Sequence, residues 1–67
     1  MIVYLVMREV TWRIPRSYGD HGDYYETETH IFSAHRTAED AEKMIETANA
    51  LDTNKDAHYY WESIELE

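Results

Sequence analysis

The alternation of apolar and polar residues along the chain predicts three strands and one helix. Residues 2–11 are rich in β-branched and aromatic types and contain no proline or glycine, which is typical of a strand. Residues 24–34 and 58–66 each alternate with a period of two, as half-buried strands do. Between these last two segments the apolar residues recur at helical spacing; they are Ala41, Met44, Ile45, Ala48 and Leu51. The predicted order is strand, strand, helix, strand.

The helix has a recognisable start. Thr37 precedes it and can cap the first turn with its hydroxyl, while Glu39 and Asp40 suit the positive end of the helix dipole. Asp40 stands where a capping box would have Glu or Gln, so the box is imperfect. The helix is expected to end near Ala50, and residues 52–57 are expected to form a polar turn.

The connections predict how the strands are ordered. A helical crossover brings the third strand parallel to the second, and the simplest sheet then places the first strand between them, antiparallel to both. The first strand is apolar on both faces, as a central strand usually is. We therefore expect a single α+β domain spanning residues 1–67, with a three-stranded antiparallel sheet in the order 2-1-3 and one helix packed on one face.

One helix can cover only one face of that sheet. We assign to the covered face Val3, Leu5, Ile31, Tyr60, Ile64 and Leu66, with Tyr4 and Val6 as the alternative contribution of the first strand. The open face would then carry Tyr4, Val6, Arg8, Phe32, Tyr59 and Trp61. Exposed aromatic patches usually mark contacts, so we predict a homodimer formed through Tyr4, Tyr59 and Trp61. The alternatives are that this face binds another protein, or that its aromatic residues only complete a thin core.

Residues 12–23 contain the only proline and both glycines, which predicts a long loop. Within it, Trp12, Arg13, Arg16 and Tyr18 combine aromatic anchors with positive charge, and such residues dominate the binding energy of many interfaces. We predict that these four residues bind a protein partner. The alternative is a solvated loop with no partner.

The net charge of -8 is unevenly distributed. Residues 1–18 hold three arginines against one glutamate, a sum of +2, whereas residues 19–67 hold three basic against 13 acidic residues, a sum of -10. Such an acidic body repels phosphate backbones, so we expect no direct binding of nucleic acid. The basic and glycine-containing motif of sheet-based RNA binders is also missing. Three interpretations of the negative charge remain open: it attracts a basic partner, it imitates nucleic acid, or it only keeps the domain soluble.

Candidate chemistry is sparse. The chain has no cysteine, which excludes disulfides and thiolate sites. Asp20, His21, Asp23 and His30 match no named zinc pattern. A calcium loop beginning at residue 52 would need glycine at 57 and glutamate at 63, where this chain has alanine and serine. Because a glycine-rich phosphate loop and catalytic spacing are also missing, we expect no metal, no cofactor and no enzymatic activity.

No segment approaches the ~20 apolar residues of a membrane span. The apolar run 2–7 is short, meets Arg8 and Glu9 at once, and lacks the basic start of a signal peptide. We therefore expect no membrane association and a cytoplasmic location.

Three stretches resemble short proteins of bacteriophage and bacterial genomes with a ββαβ order. They are the opening Ile2-Val3-Tyr4-Leu5-Val6, the entry into the helix from Phe32-Ser33-Ala34 to Thr37-Ala38-Glu39-Asp40-Ala41, and the closing Tyr59-Tyr60-Trp61 with Ile64-Glu65-Leu66. The resemblance implies an inhibitor directed at a host factor. The functional hypothesis is thus a non-catalytic protein-binding module, and its alternative is an acidic nucleic-acid mimic that blocks a DNA-binding protein.

Overall fold

The computed structural model describes residues 1–14 and 24–67. In chain order the elements are β1 (Ile2–Ile14), β2 (Tyr24–His35), α1 (Ala38–Leu51) and β3 (Ala57–Glu65). The strands form one antiparallel sheet in the order β2-β1-β3. The predicted α+β fold, with the first strand in the middle and one helix between the second and third strands, is confirmed.

β1 is longer than predicted. It continues to Ile14, so Trp12 and Arg13 belong to a strand and not to a loop, and they pair with Glu26 and Tyr25 of β2. Pairing with β2 holds this stretch in the sheet, and the position before Pro15 favours extended backbone in any case. The rest of the predicted loop, residues 15–23, lies outside the described residues. It includes Arg16 and Tyr18 of the predicted partner site and three of the metal-ligand types, Asp20, His21 and Asp23.

α1 begins and ends close to where the sequence predicts. The Thr37 hydroxyl accepts a hydrogen bond from the backbone N–H of Asp40 at 3.1 Å, which satisfies one of the free donors of the first turn. At the other end the backbone N–H of Asp52 donates to the carbonyl of Ala48 at 2.9 Å and closes the last turn. The capping role predicted for Thr37 is confirmed.

A β-bulge in β2 changes which side chains share a face. Val6 of β1 pairs with Ser33 and Met7 pairs with Ile31, so that Phe32 is the extra residue. Up to Phe32 the alternation of β2 is as predicted, and beyond it the alternation shifts by one position. The Phe32 ring therefore lies on the covered face, where it meets Tyr59 edge-to-face with centroids 5.3 Å apart.

The core is small and lies between α1 and one face of the sheet. Its buried members are Val6, Ala41, Ala48 and Tyr59, and packed against them are Tyr4, Met44, Ile45, Ala57 and Trp61. The main prediction for the two faces was therefore wrong, and for β1 the alternative with Tyr4 and Val6 is the one found. Tyr4, Tyr59 and Trp61 lie beneath the helix and do not form the open surface on which the dimer was predicted.

The helix itself explains this choice of face. Ala41 and Ala48 are small, so α1 sits close to the sheet and the remaining space is filled by large side chains. Tyr4 and Trp61 fill it with an edge-to-face contact at 5.4 Å. A buried tyrosine also requires a partner for its hydroxyl, and Tyr59 finds Asp52 at the end of the helix.

The molecule is thin. Its Cα atoms extend over 52 × 30 × 11 Å, so the sheet has one covering layer on one side. Within residues 1–14 and 24–67, no helix is long and apolar enough to cross a membrane.

Candidate functional site

The far end of the β1–β2 hairpin projects beyond the rest of the sheet. β3 pairs with β1 only from Ile2 to Val10, whereas β2 pairs with it as far as Ile14. The last four residues of β1 therefore pair with no described strand other than β2, although the Thr11 N–H also donates to the carbonyl of Asp56, immediately before β3, at 3.5 Å. We call this two-stranded segment, residues 11–14 and 24–27, the ribbon.

The ribbon displays aromatic residues on both faces. On the face continuous with the helix-covered side, Trp12 pairs with Glu26, and Ile14 pairs with Tyr24. On the opposite face Arg13 pairs with Tyr25. Trp12 is 38% exposed, Tyr24 53% and Tyr25 68%. Large amphipathic side chains thus reach solvent at the part of the described structure that is least supported by other elements.

This composition is typical of protein-binding surfaces. Tryptophan, tyrosine and arginine are the residues most enriched at the energetic centres of protein interfaces. Tyrosine and tryptophan bury much area while losing few rotatable bonds, so the entropy cost per unit of contact is low.

A polar cluster lies beside the ribbon, at the point where α1 ends. The Asp52 carboxylate accepts from the Tyr59 hydroxyl at 2.6 Å and from Arg8 Nε at 3.0 Å, and its second oxygen accepts from the Asn54 backbone N–H at 2.9 Å. Arg8 Nε also lies 3.1 Å from the Tyr59 hydroxyl oxygen. The cluster joins β1, β3 and the turn after α1.

These contacts shift the protonation equilibria of the cluster. Hydrogen bonds from Arg8, then Tyr59 and then the Asn54 backbone hold the pKa of Asp52 well below its usual range. Burial raises the pKa of the Tyr59 hydroxyl, and its hydrogen bond to Asp52 raises it further. The hydrogen bonds to Asp52 and Tyr59 raise the pKa of Arg8.

The cluster neutralises the charge of Asp52 where α1 ends. A carboxylate whose pKa lies far below neutrality is a weak general base. A negative charge at a helix C-terminus is unfavourable, and the last turn of α1 carries no basic residue of its own. Arg8 reaches across from β1 to neutralise Asp52 and thereby ties the end of the helix to the central strand.

The segment that imitates the start of a calcium loop is a turn, as predicted. Asp52 accepts from the backbone of Asn54, and the Asn54 side-chain oxygen accepts from the backbone N–H of Asp56 at 2.9 Å. These oxygens already close two successive side-chain turns. Of the residues the structure describes, His, Asp and Glu side chains nowhere gather in groups of three or more that could hold an ion. His30 instead meets Glu28 at 2.6 Å.

The structure brings together part of the predicted partner site. Trp12 and Arg13 lie next to each other on the ribbon, although their side chains point to opposite faces. Sequence reasoning missed Tyr24 and Tyr25. The Tyr24-Tyr25 pair is visible in the sequence, but only the strand register places it opposite Ile14 and Arg13. No enclosed pocket lies among residues 1–14 and 24–67, and the ribbon is an exposed surface.

Comparisons with known proteins add no relative. No protein-family model matches the chain, and no curated protein and no solved structure matches it.

Proposed function

We propose that this protein is a non-catalytic protein-binding module and that the ribbon is its contact surface. The observation that carries the proposal is the exposure of Trp12, Tyr24 and Tyr25 on a two-stranded segment that projects beyond β3. The exposed fractions of these side chains range from 38% for Trp12 to 68% for Tyr25. Covering them with a partner would remove apolar surface worth about 25 cal/mol per Å².

The partner is a protein that carries an apolar or mixed surface patch. One face of the ribbon would contact that patch through Trp12, Ile14 and Tyr24. The opposite face would contribute contacts from Arg13 and Tyr25. The resemblance of the sequence to small phage proteins favours a host factor as the partner and inhibition as the outcome. The net charge of -8 speeds association with a basic surface.

The first experiment identifies the partner and then measures its affinity for altered ribbons. The chain is used to capture proteins from host lysate, and the partner found is purified. Trp12→Ala and Tyr24→Ala should each weaken binding by about 30-fold or more, because truncating an interface anchor commonly costs about 2 kcal/mol. Isothermal titration gives the dissociation constants.

Leu66→Ala is the matched control. Leu66 is 47% exposed and lies at the opposite end of the molecule, where its backbone N–H bonds to Met1. It should keep full affinity, and thermal melts should show that all three variants fold. Binding that is unchanged in both ribbon variants would contradict the proposed surface.

Salt distinguishes this proposal from nucleic-acid mimicry. A contact made mainly by aromatic side chains should change little in affinity as salt is raised, because it does not depend on long-range attraction. A mimic of nucleic acid acts through many charges, and its affinity should fall steeply. A steep fall together with intact binding by the ribbon variants would favour mimicry by the acidic surface.

A further inference from the structure

The sheet face opposite α1 is not covered by any described element, and it is largely apolar from the start of β1 to Met7. Beyond Met7 the residues of β1 on this face are Glu9, Thr11 and Arg13. Val3, Leu5 and Met7 of β1 point to this face, since they alternate with the residues beneath the helix. Their neighbours on β2 and β3 are also largely apolar, and with them they form what we call the open face: Val3, Leu5, Met7, Ile31, Ala34, Tyr60 and Ile64. Ile31 is 64% exposed and Ile64 is 40% exposed.

The accessible surface of the chain is large for its mass. It measures 5431 Å² for 8.0 kDa, whereas a compact monomer of that mass exposes about 4,450 Å². The excess is on the order of 1,000 Å². This excess belongs to the chain as a whole. A standard stable interface buries about 800 Å² from each partner, so the chain has enough exposed surface to form one such interface.

Charge is arranged so that the open side of the sheet is nearly neutral. Its charged residues are Glu9 and Glu62 against Arg13, a sum of -1. Residues 1–14 and 24–67 together carry five basic and 12 acidic residues, a sum of -7. The remaining -6 therefore lies elsewhere, much of it on α1 and the chain end.

We infer that two copies of this chain stack through their open faces. The two sheets would pack about 10 Å apart as in a sandwich, with one helix on each outer surface. Closed two-fold pairing is the commonest solution for identical chains and requires only that one face complement itself. Glu9 and Glu62 would lie on the contact side, whereas the other described acidic residues of both copies would point away from it.

A second copy fits this face better than a charged partner does. A basic protein would be drawn to the acidic surfaces, which lie away from the open face. The open face offers aliphatic side chains of similar size along a central strand, and these can interdigitate with an identical set. The dimer leaves Trp12 and Tyr24 accessible, because they lie on the other side of the sheet.

Sedimentation equilibrium of the purified chain, from low to high micromolar concentration, tests the inference. The unaltered chain should sediment as a dimer at the upper end. Ile31→Glu should raise the dimer dissociation constant at least about 30-fold, since it buries a charge at the contact. The variant should still fold, because Ile31 is largely exposed on an edge strand. Ile64→Thr, a milder change, should weaken the dimer in the same direction.

Thr47→Glu is the matched control, because it adds the same charge at an exposed position of α1. It should leave the dimer intact, and so should Trp12→Ala, which separates this test from that of the ribbon. A monomer at high micromolar concentration for the unaltered chain would overturn the inference. Equal dimer strength in folded Ile31→Glu would also overturn it, and capture of a different protein on the open face of a monomeric chain would replace it.

Discussion

At the scale of single residues, the Asp52 side chain joins two strands to the end of the helix. It receives hydrogen bonds from β1, from β3 and from its own turn. The Arg8 and Tyr59 side chains that reach it stand directly opposite each other on neighbouring strands. One carboxylate thus determines how the end of α1 sits on the sheet.

The lowered pKa of Asp52 predicts a defined pH dependence of stability. The folded chain holds this carboxylate ionised below the ordinary pKa of 3.8, so the unfolded chain binds more protons in that range. The stabilisation is therefore complete above about pH 5 and is lost as the pH falls toward the folded pKa. Asp52→Asn should melt at a lower temperature at pH 7, and the difference from the unaltered chain should shrink on acidification.

Asp56→Asn provides the control for that series, because it removes one negative charge from the same turn at an exposed position. Its melting curve should follow that of the unaltered chain more closely at neutral pH. Circular dichroism melts at a series of pH values measure this dependence. If the unaltered chain and Asp52→Asn lose stability equally on acidification, the Asp52 carboxylate does not stabilise the fold in the way proposed.

At the scale of elements, α1 depends on its cap and on the sheet. A helix of 14 residues is marginal in water on its own, and only Ala41 and Ala48 of this one are buried. In the first turn the backbone N–H of Asp40 donates to the Thr37 hydroxyl, and in the last turn the carbonyl of Ala48 accepts from the backbone N–H of Asp52. With so little buried area, each capping interaction accounts for a larger share of the stability of the helix.

Removing the N-cap hydroxyl should therefore be costly. Thr37→Ala should lower the free energy of unfolding by about 1 kcal/mol, which corresponds to about 4–8 °C in melting temperature for a domain of this size. Thr47→Ala removes the same atoms from an exposed position within α1 and should change stability by less than about 0.5 kcal/mol. If both variants melt together, the cap does not stabilise α1 in the way proposed.

The bulge in β2 is the other decisive feature at this scale. Without it, Phe32 and Ser33 would point to opposite faces. With it, both lie on the covered side, and the Phe32 ring completes the contact with Tyr59. Ile31 and Ala34 are left together on the open face, which makes that face more continuously apolar than strict alternation would.

At the scale of the whole molecule, the described part of the sheet is apolar over part of each face, and α1 covers one of the two faces. The described core contains four buried residues, and small domains with such cores commonly gain stability by self-association. The inferred dimer would supply the second covering layer and would couple folding to protein concentration.

This coupling is measurable by calorimetry. The melting temperature of the unaltered chain should rise with protein concentration, because dilution favours separated and unfolded chains. The melting temperature of Ile31→Glu should not change with protein concentration over the same range of concentrations. A concentration-independent melt for the unaltered chain would mean that the native state is monomeric under those conditions.

The sequence alone was sufficient for the elements and their order. The strands were predicted from alternation with a period of two, and the helix from the spacing of its apolar residues and from the capping residue Thr37. These signals depend on local geometry, which is encoded within a few neighbouring residues. The central position of β1 also followed, because a strand apolar on both sides needs neighbours and cover. Trp12 and Arg13 were identified as surface anchors, although their place on a strand was not.

Which face the helix covers was decided only by the tertiary structure. Alternation divides the residues of a strand between two faces but does not show which face the helix covers. In β1 both sets of residues are apolar at first. The outcome depends on volumes and hydrogen bonds that the sequence does not display: small alanines on α1 admit the large rings of Tyr4 and Trp61, and Tyr59 needs the carboxylate that ends the helix. The bulge at Phe32 and the register of the ribbon likewise arise from strand pairing, which joins residues far apart in the chain.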